Sequence, residues 1–190
     1  MSKPKELVPY LSVVFFVIAV VVRCVPHPYN IGAIGALGLF VGCFWSARMG
    51  VLFAVAAMAL SDVLGHWLGI ESMGFYSGWL MLTVYAAMAC SAGVGKFVQY
   101  LKRKKVPMAF LVPSGAVIAA ILFFLITNFA SFLDPQMGYP ATLGGLLQCY
   151  SLAIPFAKGS FLGNLIFSGA FFGAYSLLKQ RLFSTESSFE

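Results

Sequence analysis

The stretch Val51 to Ile70, VLFAVAAMALSDVLGHWLGI, constrains this chain most, because it is a long apolar run with an aspartate and a histidine inside it. At 1.5 Å per helical residue, about 20 residues cover roughly 30 Å, the thickness of one hydrocarbon core. Asp62 then lies near mid-membrane. A carboxylate turned towards lipid there would cost about 3 kcal/mol or more, so it is expected to face protein or water, protonated or paired. His66, four positions on, shares its face. Gly65 and Gly69 lie on or beside that face, where they would let another helix or a ligand come close. Asp62 is thus either part of a functional site or a cap or cross-link to a neighbouring helix.

With 61% hydrophobic and 9% charged residues, the chain is far from the soluble range, and its 190 residues leave room for about six spans. The reading is an all-α integral membrane protein. Its net charge of +6 suits an acidic partner or a membrane topology signal, and the placement of the charges decides between them.

Lys3 and Lys5 precede a first span over about 8–22. Arg23-Cys24-Val25-Pro26 follows it in place of a small-residue cleavage site, so this helix is read as uncleaved. Pro26-His27-Pro28-Tyr29-Asn30 is a stiff turn. The second span, about 31–45, carries Gly32, Gly35, Gly38 and Gly42, and the Gly38/Gly42 pair reads as a close-packing face. The third span is 51–70 and the fourth 76–94, with Tyr76 and Trp79 as interfacial anchors. Lys96 and Lys102-Arg103-Lys104-Lys105 follow, the densest charge in the chain; an anionic membrane leaflet explains it better than nucleic acid. The fifth span covers about 107–129, with Pro113 placed to kink the helix or delay its start. The segment 142–156 is short for a span and ends at Pro155, so it reads as a re-entrant or interfacial helix before the last span, 161–178. Residues 1–183 form a single transmembrane domain and 184–190 a disordered tail.

Placing both termini in the cytoplasm puts Lys3, Lys5, Arg48, Lys96, Lys102, Arg103, Lys104, Lys105, Lys179 and Arg181 on that side. That is ten of the twelve basic residues, leaving Arg23 and Lys158 outside. A seventh span over 142–156 would move Lys179 and Arg181 outside, so the charge bias favours six. The remaining polar residues, including His27, Asn30, Asp62, His66, Asn128, Lys158 and Asn164, then gather in the outer half of the protein. Buried amides such as Asn128 and Asn164 need partners, which a polar ligand, ordered water or the protein itself would supply.

Several motifs carry a family resemblance: Pro26-His27-Pro28-Tyr29-Asn30 with the run Ile34 to Phe40, then Leu60-Ser61-Asp62, Thr127-Asn128-Phe129, and Cys149-Tyr150 with Ala153-Ile154-Pro155-Phe156. Over about residues 8–178 they resemble an uncharacterised family of small bacterial membrane proteins. That family is similar to the substrate-binding S components of energy-coupling-factor vitamin transporters, closest to the solitary cobalamin-type S component. The resemblance implies a six-helix bundle in the bacterial inner membrane, with an outward pocket formed by His27, Asp62, Tyr85 and Lys158. Tyr85 would sit at a depth where its hydroxyl meets Asp62. Lys158 stands where arginine is expected, so a bidentate contact to an anion becomes a point-charge contact. Gly78 to Met81 lacks the cysteine that would coordinate cobalt, and Cys90 is about 15 Å deeper along the helix. The first span also lacks the alanine-x-x-x-alanine docking face of classical S components.

The leading function is a substrate-binding component for uptake of a vitamin-like small molecule, with no cofactor and no metal. There is no Walker A motif, so ATP energy would come from a partner module. The alternatives are a non-catalytic scaffold subunit and, more remotely, an intramembrane enzyme using Asp62, His66 and His27 for proton transfer or metal-assisted hydrolysis. The two histidines in the sequence form no H-E-x-x-H frame. Cys24 and Cys149, both placed outside, are candidates for a disulfide in an oxidising compartment.

Overall fold

The structure is a computed structural model that describes residues 3–25, 31–70 and 77–183. It contains six helices: α1 Lys3–Cys24, α2 Ile34–Phe44, α3 Ala47–Trp67, α4 Gly78–Arg103, α5 Met108–Leu133 and α6 Leu143–Phe183, with a 3-10 turn at Pro135–Met137. There is no strand among the described residues. Five of the helices are long and apolar enough to cross a membrane, and the chain is a multi-pass membrane protein.

The exception is α2. The sequence predicts a full span over 31–45, but the helix has 11 residues, about 16 Å, half a hydrocarbon core. It is also the centre of the bundle, with every residue from Ile34 to Cys43 buried. A helix that is apolar all round is satisfied by protein on every side, and the glycines make that enclosure close. A Cβ on Gly42 would overlap the Ala92 carbonyl of α4, and one on Gly95 of α4 would overlap the Leu39 carbonyl of α2. Gly38 faces Ser91 and Ala54. The small pair Gly38/Gly42 is therefore an internal seam, occupied by α3 and α4.

Aromatic rings close the other side of α2. Phe40 meets Phe15 of α1 edge-on at 5.0 Å and Phe172 of α6 at 5.4 Å, while Phe15 stacks on Phe171 at 4.0 Å. These offset and T-shaped pairs stabilise beyond their buried area. Phe16 packs on Phe53 while Arg23 reaches Asp62, so α1 and α3 run in the same direction. The helices alternate up and down along the chain. Lys102 of α4 sits 4.9 Å over the Phe44 ring, and Tyr175 near the end of α6 packs on the same ring at 4.3 Å. Arg48, Lys96, Lys102–Lys105, Lys179 and Arg181 thus share one end of the bundle.

Three segment boundaries differ from the sequence reading. The predicted fourth span stops at 94, whereas α4 continues to Arg103 and carries its basic cluster on its last turns. The predicted fifth span stops at 129, whereas α5, with Pro113 inside it, continues to Leu133. The separate short helix predicted over 142–156 is continuous with the last span. α6 has 41 residues, about 62 Å, and runs through Pro155 and Lys158-Gly159-Ser160 without a break. Its first half packs along α5, where Tyr150 donates to the Leu125 carbonyl at 2.7 Å. Its second half packs on α1 and α2. A proline in mid-helix removes one backbone hydrogen bond, and here packing against three helices holds the helix together around it. The tail 184–190 lies outside the described residues.

Candidate functional site

Asp62 is 1% exposed and closed on both oxygens. Arg23, from the last turn of α1, donates to Oδ1 at 2.6 Å, and Tyr85 of α4 donates its hydroxyl to Oδ2 at 2.5 Å. The same guanidinium nitrogen donates to Ser61 Oγ at 2.6 Å, and Ser61 in turn donates to the Met58 carbonyl at 2.9 Å. One carboxylate therefore ties α1, α3 and α4 together. Arg23 keeps 21% of its side chain exposed, so one member of the ion pair is partly accessible and the other is enclosed by protein.

Among the described residues, the structure brings together only part of the pocket implied by the resemblance. Tyr85 does meet Asp62. Lys158 is exposed on α6 and takes no part in the cluster. His27 and Asn30 lie outside the described residues. His66 is exposed one turn beyond Asp62, towards the end of α3. Asn128 and Asn164 spend their Nδ2 groups on their own helices, at the Phe124 carbonyl (2.7 Å) and the Ser160 carbonyl (3.1 Å). Arg23 is the partner that sequence reasoning missed. It is the basic residue in the last turn of α1, and an intramembrane acid calls for such a partner. Its separation of 39 positions from Asp62 hides the pairing.

Asn164 is 8% exposed, and its Oδ1 accepts no hydrogen bond. It rests on Gly35, in the first turn of α2, where a Cβ would overlap it. The first N–H groups of a helix lack helical partners, so this oxygen meets a positive potential even without a formal bond. Gly163 touches the Gly32 backbone beside it.

Beyond that first turn the central helix is missing, and a void opens. A cavity of about 300 Å³ is lined by Val84 of α4, by Phe123, Phe124, Thr127 and Asn128 of α5, and by Ala153, Phe156, Ala157 and Ser160 of α6. Its origin is geometric. Among the described residues the backbones of α4 and α6 stay more than 8 Å apart. α2 separates them at the level of Gly38 and Ser91, but Val84 and Ser160 lie beyond the start of α2. Small residues on α6, Ala153 and Ala157, keep the space open. The volume is at the lower end of that of small-molecule sites. Val84 is chain neighbour to Tyr85, so the cavity and the Asp62 cluster are adjacent but lined by different side chains.

Among the described residues no three His, Cys, Asp or Glu side chains gather as a metal site. Cys24 and Cys149 are free thiols, and Cys149 donates weakly to the Asn128 carbonyl at 3.4 Å, so the candidate disulfide is not formed. At the cavity end of the bundle, outside the spans, Asp134 caps the 3-10 turn through the Gln136 N–H at 2.9 Å and accepts from Ser77 at 3.4 Å.

A model of a family of unknown function, DUF6580, matches residues 4–186. The chain belongs to that family. No curated protein and no solved structure matches the chain. The family match spans all six helices, including both halves of α6, so the bundle as a whole is the family's unit.

Proposed function

We propose that this DUF6580 protein is a membrane-embedded small-molecule-binding subunit, similar in role to the S components of vitamin transporters, whose ligand chamber is the α4–α5–α6 cavity. The observation that carries this reading is the void itself. Between α4, α5 and α6 lies a half-open cleft of about 300 Å³, with neutral polar groups set in an apolar wall. The Asp62 cluster lies beside it as a brace, and no catalytic role is assigned to it. In this reading the basic end of the bundle and both termini face the cytoplasm of a bacterial cell, across the inner membrane, and the cavity lies in the outer half. An ATP-driven module is the partner that would energise uptake.

A scaffold role is the second reading, favoured by the saturation of Asp62: a carboxylate with both oxygens bonded inside the protein needs no ligand. The two readings separate in one experiment. The purified protein is screened for thermal stabilisation by vitamins and other small metabolites, with Ala157→Phe as the cavity-filling control. A binding subunit gives at least one concentration-dependent rise in Tm that Ala157→Phe removes. A scaffold gives none.

A further inference from the structure

The walls of the cavity narrow the chemistry of what it holds, and this inference rests on the binding role proposed above. Val84, Phe123, Phe124, Ala153, Phe156 and Ala157 make most of the lining apolar and partly aromatic, and no lining residue carries a charge. The neighbouring charges are unavailable: Asp62 is closed by Arg23 and Tyr85, and Lys158 points to the exposed side of α6. The cleft is half open, but an ion seated against its apolar walls would lose water and gain no counter-charge, so a neutral occupant suits it better than an anion or a cation.

The three polar residues are not equivalent donors and acceptors. Thr127 spends its single O–H on the Phe123 carbonyl at 2.8 Å, and Asn128 spends one N–H on the Phe124 carbonyl at 2.7 Å. A threonine hydroxyl has one proton and two lone pairs, and an asparagine carbonyl has two lone pairs. The unspent capacity on α5 is therefore weighted towards accepting. The Ser160 hydroxyl across the cavity can adapt to either role.

We infer that the cavity takes an uncharged, largely apolar molecule that presents a hydroxyl or N–H donor to the corner formed by Thr127 and Asn128. The body of the molecule lies against the Phe123, Phe124 and Phe156 side, and its donor hydrogen-bonds to Asn128 Oδ1 or Thr127 Oγ1. This excludes carboxylate- and phosphate-bearing vitamins as the occupant and points to neutral hydroxylated or N–H-bearing ring compounds.

The test uses four matched bicyclic probes on the full chain in lipid nanodiscs: 2-naphthol, naphthalene, 2-naphthoate and 2-naphthylmethylamine. Ala157→Phe in the same nanodiscs corrects for partitioning into lipid, with Ala153→Leu as a milder filler should the larger one fail to fold. The expected result is binding of 2-naphthol about five- to tenfold tighter than naphthalene, the worth of one hydrogen bond. The two ionic probes bind more weakly than either. Asn128→Leu combined with Thr127→Val should bring 2-naphthol down to naphthalene while leaving naphthalene unchanged, and the two single variants show which acceptor carries the bond. Tightest binding by the naphthoate or the ammonium overturns the inference but keeps a binding site. Equal binding of naphthol and naphthalene overturns it in favour of a slot for lipid chains. If no probe binds in a filler-sensitive way and the metabolite screen is also blank, the binding role itself falls.

Discussion

Replacing Arg23 by methionine should be the most damaging single change in the polar half of this protein. The ion pair has unequal members: Asp62 is 1% exposed, whereas Arg23 keeps 21% of its side chain in contact with the surroundings. Removing arginine strands a carboxylate that cannot reach water, and breaking a buried pair in this way costs about 3–5 kcal/mol. The arginine position is partly accessible, so the lower end, about 3 kcal/mol, is the better expectation. Removing the acid instead, Asp62→Leu, leaves a long cation that can swing outward, and the cost falls to about 1–2 kcal/mol, mostly the Tyr85 hydrogen bond to the carboxylate and the one Arg23 gives Ser61. Arg23→Met with Asp62→Leu together should recover most of the loss, because two apolar groups replace both charges. Thermal unfolding of purified variants reads this directly. For a chain of this size 1 kcal/mol corresponds to roughly 2–4 °C, so Arg23→Met should lower Tm by about 6–12 °C. The reasoning is refuted if Asp62→Leu is the more damaging single variant, or if Arg23→Met stays within the roughly 0.5 kcal/mol typical of surface changes.

Packing and satisfaction supply further expectations. Gly95→Ala should destabilise by about 1–3 kcal/mol or more, because its Cβ meets the rigid Leu39 backbone, whereas Gly93→Ala on the open face of the same helix should be neutral or gain up to about 1 kcal/mol; melting of the two variants side by side checks both. Ser168 is fully buried with a hydroxyl that finds no partner, so Ser168→Ala should raise stability by about 1 kcal/mol, seen as a small increase in Tm. Phe40→Ala removes the ring that Phe15, Phe44, Phe172 and Tyr175 all touch, and should cost about 3–5 kcal/mol in the same assay.

The helical architecture was legible in the sequence because apolar runs of membrane length leave the backbone few alternatives. So was the gathering of Lys102–Lys105, Arg48 and Arg181 at one end, which follows from counting reversals of direction. The close contacts of Gly38 and Gly42 could be read from their spacing, but not that α3 and α4 already occupy them. The length of α2 was not legible. Ile31, Gly32 and Ala33 are as apolar as the residues that follow, and the helix starts at Ile34 with Gly163 and Asn164 packed against this entry segment, a long-range contact with no local signal. The cavity inherits that opacity, since it exists only where α2 is absent and its walls look like ordinary span residues. Pro155 misled in the opposite direction: it reads as a stop, and tertiary contacts carry α6 through it. Asp62 was recognisable as a costly residue needing a partner, and the polar neighbours closest to it in sequence drew attention away from Arg23, 39 positions earlier.

The claim that the acid braces the helices while the neighbouring void receives the ligand is tested most directly by an experimental density map of the protein loaded with its strongest thermal stabiliser. The account predicts density bounded by Val84, Phe124, Asn128 and Ala157, with the Arg23–Asp62 and Tyr85–Asp62 contacts intact. Ligand density touching Asp62, with Arg23 swung away from it, would contradict the account.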